Sequence, residues 1–330
     1  MSEDTTAALP VAVDAMGGDD APEAIVAGAV AAVKKGFRVV LVGDEGRIRP
    51  FLPAGTDIEL VHTDDAVGMH ESPVVVRRRN DASVRRCLQL VKEGRACAAM
   101  SCGNSGALVV AAVLDIGMSE GVERPVIASV LPRADGGRLV VLDAGANVDT
   151  RGEQLARFAL LGAAYARTLG IEDPRVGLLS NGEEAGKGNE QVRVARPLVE
   201  ALPLRFVGNV EPSGAFSGAC DVLVCDGFVG NVMIKAVEAA AETVMHLLKE
   251  EIRRHPAAIL GAWLLSRGLR RLRDRVAWDA YGGGVLLGIR EVVVVGHGRA
   301  TPEAVCAAIR LAGEASRRGP VVRVEQPSRL

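Results

Sequence analysis

Val11-Ala12-Val13-Asp14-Ala15-Met16-Gly17-Gly18-Asp19 runs from a short apolar stretch into a glycine turn, and a helix-like run follows. The same order recurs at Ser101-Cys102-Gly103-Asn104-Ser105-Gly106 and at Asp226-Gly227-Phe228-Val229-Gly230-Asn231, each time with Asn or Asp beside the glycines. Glycine allows positive φ and close approach to a ligand, and the helix that follows offers unpaired N–H groups and a partial positive charge. One such turn says little, because strand-to-helix turns often carry Gly for steric reasons. Three of them, together with the lysine-bearing Gly186-Lys187-Gly188-Asn189, predict a phosphate-handling site.

Outward from these turns the chain alternates. Strands are predicted at 11–13, 38–42, 58–62, 96–101, 138–143, 175–180, 204–207, 222–225 and 291–295, with helices between most of them, for example 153–168 and 192–202. Short buried strands alternating with helices predict an α/β fold: a mainly parallel sheet covered on both faces, with ligands bound beyond the carboxyl ends of the strands. No long Pro/Ser linker interrupts the chain, so residues 1–330 read as one domain. One excursion stands out at 231–279, where helical spacing persists past the length of a sheet-covering helix and Pro256 divides it into two arms. At 100° per residue Leu265, Leu269, Leu272 and Val276 share one stripe, while Ile259, Leu260, Trp263 and Leu264 face elsewhere. One packing surface cannot bury both sets, so a tip formed by Ile259, Leu260, Trp263, Leu264 and Leu265 is expected to meet a membrane or a partner.

Composition narrows the function classes. A formal net charge of −2 argues against a general nucleic-acid binder, and 3% aromatic residues leave no base-stacking platform. The acidic, polar start Met1-Ser2-Glu3-Asp4 lacks the features of a signal peptide, which predicts a cytoplasmic protein. The apolar run from Ala257 to Leu265 falls short of the roughly 20 residues that cross a bilayer. Six cysteines show no C-x-x-C pair and five histidines show no ligand spacing, so neither a metal nor a cofactor is implied.

Taken in order, several motifs resemble the PlsX-type phosphate acyltransferases of bacterial phospholipid synthesis. They are the opening Val13-to-Asp19 signature, Gly103-Asn104-Ser105-Gly106-Ala107, Leu142-Asp143-Ala144-Gly145-Ala146-Asn147, Lys187-Gly188-Asn189-Glu190, Asp226-to-Asn231, Tyr281-Gly282-Gly283 and His297-Gly298. The resemblance implies a three-layer α/β/α fold related to phosphotransacetylases, with the excursion as a protruding helical hairpin, and a homodimer. It implies the reversible reaction of acyl-(acyl carrier protein) with inorganic phosphate to give acyl phosphate, which passes to a membrane glycerol-3-phosphate acyltransferase. A peripheral position on an anionic membrane surface fits the Arg-rich stretch after the tip.

That chemistry agrees with what the sequence lacks. Phosphate is largely a dianion at neutral pH, with a relevant pKa of about 6, and attacks a thioester without a strong base. The thiol, with a pKa of about 8.5, departs without a strong acid. What remains is to hold phosphate in line and to stabilise the tetrahedral oxyanion. Lys187, Asn231 and Asp226 are the expected catalytic residues; Gly17, Gly18, Gly103, Asn104, Ser105, Gly106, Asn189 and Gly230 are the expected phosphate contacts. Each has a plainer reading. Asn104, Asn189 and Asn231 can cap helices, Asp14, Asp143 and Asp226 can shape turns, and Lys187 can be a solvated loop lysine. The Arg77-Arg78-Arg79 run with Arg85 and Arg86 is either a solvated face or a dock for an acidic carrier protein. Dinucleotide and Walker-type loops are missing. A phosphotransacetylase using acyl-CoA and a non-catalytic membrane scaffold stay open.

Overall fold

The computed structural model describes residues 9–254, 258, 261–262, 264–268 and 283–319. Its centre is one sheet of eleven strands: β1 Val11–Asp14, β2 Val39–Gly43, β3 Glu59–His62, β4 Ala98–Ser101, β5 Val126–Pro132, β6 Arg138–Leu142, β7 Arg175–Leu179, β8 Arg205–Val210, β9 Val222–Val224, β10 Gly284–Leu287 and β11 Val293–Val295. Their order is β3-β2-β1-β4-β11-β10-β5-β6-β9-β7-β8. Side chains alternate between two cores: Val11 and Val13 enter one, with Ala12 in the other, and Ala98 and Met100 likewise oppose Ala99. Period-two burial on both faces calls for helices on both faces.

One layer holds α1 Glu23–Lys34, α5 Gly152–Thr168, α6 Glu190–Glu200 and α9 Pro302–Arg318, whose buried residues join the first core. On the other face α3 Ser83–Lys92 and α4 Ser105–Asp115 cover one half of the sheet. A smaller cluster, with Ala215 of α7 Pro212–Ser217 and Ile234 of α8 Gly227–Arg254, covers the rest. A short helix, α2 Glu45–Ile48, follows β2 and starts on the Asp44 side chain, which accepts from the Gly46 and Arg47 amides. The three-layer α/β/α arrangement is the one expected.

Two strands escape the sequence reading, β5 and β10, and they reverse the sheet. Seven of its ten pairings are parallel, but β10 runs antiparallel to both β11 and β5, and β5 antiparallel to β6. The block β1–β4 with β11 therefore points one way, and the block β6–β9 the other. A continuous row of partners crosses all eleven strands: Leu60, Leu41, Val13, Met100, Val294, Val285, Ala128, Leu142, Val224, Leu178 and Asn209. Asp14 and Ser101 follow this row at the carboxyl ends of the first block, and Asp143 and Cys225 follow it at those of the second. The carboxyl ends thus border the same central row from opposite sides, about two residues or roughly 7 Å apart along the strand direction.

A further correction concerns the third glycine turn. Residues 227–231 are the opening of α8, not a loop, and the helix continues unbroken for 28 residues to Arg254. The second arm of the expected excursion, with Leu269, Leu272 and Val276, and the tip residues Ile259, Leu260 and Trp263 lie outside the described residues. Leu264 and Leu265 are described, and both are exposed.

Candidate active site

At the carboxyl ends of β1, β4 and β11 the turns interlock. Asp14, buried, accepts from Ser101 Oγ at 2.7 Å and from the Met16 amide at 3.1 Å, and Ser101 Oγ accepts in turn from the Gly103 amide at 3.0 Å. Burial pushes the Asp14 carboxyl above its ordinary range, against the pull of hydrogen bonds from Ser83, Ser101, Met16 and Gly17. Gly17 lies so close that a Cβ there would stand 2.7 Å from the Gly103 amide nitrogen and from Asp14 Oδ2. Gly18 takes φ +124°, and its place is set by the next turn, where Gly298 O accepts from the Asp19 amide at 2.8 Å. Gly296 N donates to Ser101 O at 2.8 Å. Three strand ends are thereby locked to one another through backbone.

Asn104 caps α4 by accepting from the Ala107 amide at 3.1 Å. Its Nδ2 donates to Glu71 O at 2.8 Å, tying the 69–71 segment to the helix start. Gly106 faces Pro73, whose Cγ would be 2.7 Å from any Cβ. The Gly103 amide and the Asn104 side chain are therefore engaged within the protein. Ser105 and Gly106, the first residues of α4, carry backbone N–H groups that a helix cannot satisfy internally.

The ends of β6 and β9 form a second cluster. Asp143, fully buried, accepts from the amides of Ile127, Gly145, Ala146 and Asn147 and from Asn147 Nδ2, at 2.6 to 3.1 Å. Burial raises its pKa, and these donors oppose the rise. The loop so formed accepts α8 at backbone distance. A Cβ on Gly227 would stand 2.6 Å from Asn147 O, and one on Gly230 would overlap Asp143 O. Asp226 caps α8, accepting from the Val229 amide at 2.8 Å. Asn231, in the second helical turn, does not cap; its side chain lies over Gly145, where a Cβ would be 2.7 Å from Asn231 Nδ2.

Lys187 occupies a loop between β7 and α6. The loop is pinned from beneath by Asn209, whose Nδ2 donates to Glu184 O at 2.9 Å and to Lys187 O at 3.4 Å, and by Asn181, which accepts from the Gly188 amide at 3.0 Å. Gly188 takes φ +94° there, and Asn189 caps α6 by accepting from the Val192 amide at 3.0 Å. The Lys187 side chain is exposed and its stem passes over Gly182. The loop follows β7, which stands six places from β4 and seven from β1 in the sheet order, so the strands that carry Lys187 and Asn189 and those that carry Gly17, Gly18 and Gly103 lie in opposite halves of the sheet.

One element touches two of the three clusters. Asn231 and Glu238 lie two turns apart on the same face of α8, about 10 Å along its axis. The first meets the 143–147 loop, and Glu238 Oε1 meets His297 Nε2 in the β11 turn at 3.4 Å. Sequence reading gave no role to Ser101, Asn209 or the His297–Glu238 contact, although Ser101 opens the second glycine turn and His297 lies in the His297-Gly298 motif. Of the basic run, Arg79 pairs with Asp65 and Glu71, and Arg85 with Asp115, leaving Arg77 and Arg78 exposed with no ion pair among the described residues.

A family profile described as "Fatty acid synthesis protein" matches residues 9–323. The phosphate acyltransferase of Desulforudis audaxviator is 48% identical over 312 residues, spanning 94% of this chain and 93% of its own. That of Aquifex aeolicus is 44% identical, with 93% of each chain covered. The chain belongs to this family. Among solved structures, a phosphotransacetylase from Streptococcus pyogenes superimposes with a TM-score of 0.62 at 18% identity, covering 94% of this chain and 95% of that one. A branched-chain phosphotransacylase from Enterococcus faecalis V583 gives 0.58 at 14% identity, covering 93% and 99%. At such identities the likeness is one of fold. Within the family's glycine motifs Cys102 is buried, and burial pushes its thiol up to about 12, so it is no thiolate at neutral pH.

Proposed function

We infer that the chain is an acyltransferase that moves a fatty acyl group reversibly from a thioester donor to inorganic phosphate, with acyl-(acyl carrier protein) as the donor. The observation that carries the reading is the match of the whole chain to phosphate acyltransferases. It agrees with a centre of interlocked glycine turns in which, among the described residues, Ser101 is bonded to Asp14 and His297 meets Glu238, with no histidine bonded to a serine hydroxyl. Phosphate is its own nucleophile, so the protein supplies position and charge. The start of α4 suits the anion better than the start of α8, because a neutral Asn104 caps the first and the Asp226 carboxylate the second. In this reading Ser105, Gly106, Gly17, Gly18 and Gly103 frame the phosphate seat, while Asn231 and Lys187 stabilise the oxyanion. Asp226, Asn189 and Gly230 hold the backbone that places them.

A homodimer is supported by α8, which turns Gly227, Gly230 and Ile234 to the protein and exposes Val229, Val232, Val244 and Leu247 on its far side. It also offers a way for residues separated within one chain to share a site. No helix among the described residues is long and apolar enough to cross a membrane. The exposed Leu264 and Leu265 favour a peripheral place on an anionic cytoplasmic surface, beside the glycerol-3-phosphate acyltransferase that would take the labile product.

The test is to incubate the purified protein with long-chain acyl carrier protein and phosphate and to trap acyl phosphate with hydroxylamine. Phosphate-dependent acyl hydroxamate is expected, more from the carrier protein thioester than from acyl-CoA. No hydroxamate from either donor defeats the reading, and a preference for acyl-CoA reassigns the donor.

A further inference from the structure

We propose that His297, oriented by Glu238, carries the proton of the thiol that leaves in acyl transfer and attacks in its reverse, an inference that rests on the acyltransferase reading above. The imidazole stands in the turn after β11, between the two glycines that lock this turn to its neighbours. Gly296 N donates to Ser101 O at 2.8 Å, and Gly298 O accepts from the Asp19 amide at 2.8 Å. The backbone that carries the ring is therefore tied to the β1 and β4 turns, the seat assigned to phosphate. Half of its side-chain surface stays open to solvent, at 47% exposure, while Glu238 is largely covered at 22%. Nε2 lies 3.4 Å from Glu238 Oε1, which leaves Nδ1 as the ring nitrogen that faces a substrate; it makes no hydrogen bond among the described residues.

A base oriented by a carboxylate beside a reactive centre is the recurring arrangement of acid–base catalysis. Imidazole is the side chain suited to exchange a proton near neutral pH. The other charged groups of these elements are Asp14, Asp19 and Asp20 of the β1 turn, Arg299 of the β11 turn, 4.0 Å from Asp19, and Lys235 and Glu242 one turn to either side of Glu238 on α8.

The chemistry has room for such a group. In the forward direction an oxygen of hydrogen phosphate attacks the acyl carbon, the C–S bond breaks, and the phosphate gives up its remaining proton to solvent. The electron pair goes to sulfur, and imidazolium delivers a proton to the thiolate. In reverse the thiol proton passes to Nδ1, sulfur attacks the acyl carbon, the C–O bond to phosphate breaks, the departing oxygen takes a proton from water to give the hydrogen phosphate dianion, and imidazolium returns its proton to solvent. A thiol of pKa about 8.5 is only about 3% ionised at pH 7, so a base is worth up to about 30-fold there and nothing once the thiol has ionised by itself.

That difference provides the test. The reverse reaction, acyl phosphate with free acyl carrier protein, is followed from pH 6.5 to 9.5 for the wild type, His297→Gln and Glu238→Gln, with thermal unfolding as a check on folding. His297→Gln is expected to be about 10-fold slow at pH 7 and within about 2-fold of wild type at pH 9.5, with Glu238→Gln showing a smaller deficit of the same shape. A deficit equal at every pH, as a merely structural role would give, overturns the proposal, and so does full activity at pH 7. A wild type that forms no acyl carrier protein thioester at any pH would instead remove the acyltransferase reading itself.

Discussion

Lys187 holds its charge on an exposed loop whose backbone is anchored through Asn209 and Asn181, so its position is fixed while its ammonium stays available. If it neutralises phosphate or the oxyanion, Lys187→Ala should lower kcat by roughly 100-fold or more, the scale of losing one transition-state donor. Asn231→Ala should also be impaired. Both variants should keep the wild-type unfolding temperature, because neither side chain supports a buried hydrogen bond; a fall in activity matched by a fall in stability would speak against direct roles. Sequence marks these positions well, since a lysine between glycines and Asn beside a helix start are visible locally. Asn104 and Asn189 do cap their helices, as local pattern suggests. Asn231 does not, because the helix begins five residues earlier than a cap at that position implies. The partners of Ser101 and Asn209 gave no local sign: each acts on backbone or a carboxylate brought near only by the fold.

Among elements, α8 and the β5–β6 hairpin decide how the halves meet. Glycines 227 and 230 read as turn formers, yet they are helical, and what demands them is the 143–147 backbone pressed against the helix. Local sequence cannot report a close approach from another strand. The same limit hid β5 and β10, which return by pairing with a neighbour and not by the strand-to-helix alternation that revealed the others. The hairpin end is tied to β7 and β9 through Asp221, which receives Arg133 and two nitrogens of the Arg175 side chain. Burial alone would raise the Asp221 pKa, but the bonds from Arg175 and Arg133 hold it at about 2. An unfolded Asp ionises near 3.9, so between these values the unfolded chain binds more protons. The contribution of Asp221 is complete above pH of about 4 and is lost as pH falls toward 2. In denaturant titrations the stability gap between wild type and Asp221→Asn should therefore close over that interval. A gap that stays constant from pH 5 to pH 2 would contradict the assignment.

At the scale of the whole molecule, the three-layer fold was legible because short apolar runs alternate with helix-like runs, and nine of the eleven strands stand out in that way. Their opposed directions were not, since alternation says nothing of strand polarity. The consequence is a protein whose glycine turns border one central row from opposite sides, with α8 touching both through Asn231 and Glu238, and with Leu264 and Leu265 exposed later in the chain. If that end touches lipid, Trp263→Glu with Leu264→Glu should abolish sedimentation with anionic liposomes while dimer mass and activity on soluble acyl carrier protein persist. A monomeric double variant, or undiminished binding, would assign the surface to the partner subunit or to neither. The central claim is that phosphate attacks the thioester directly, with no acyl-enzyme at Cys102 or elsewhere. It is tested by mixing enzyme at substrate-level concentration with acyl carrier protein thioester and following free thiol with and without phosphate. The account predicts no thiol release until phosphate is added, then thiol and acyl phosphate in equal amounts. Release of one equivalent of thiol per site without phosphate, with an acyl adduct on the protein, would contradict it.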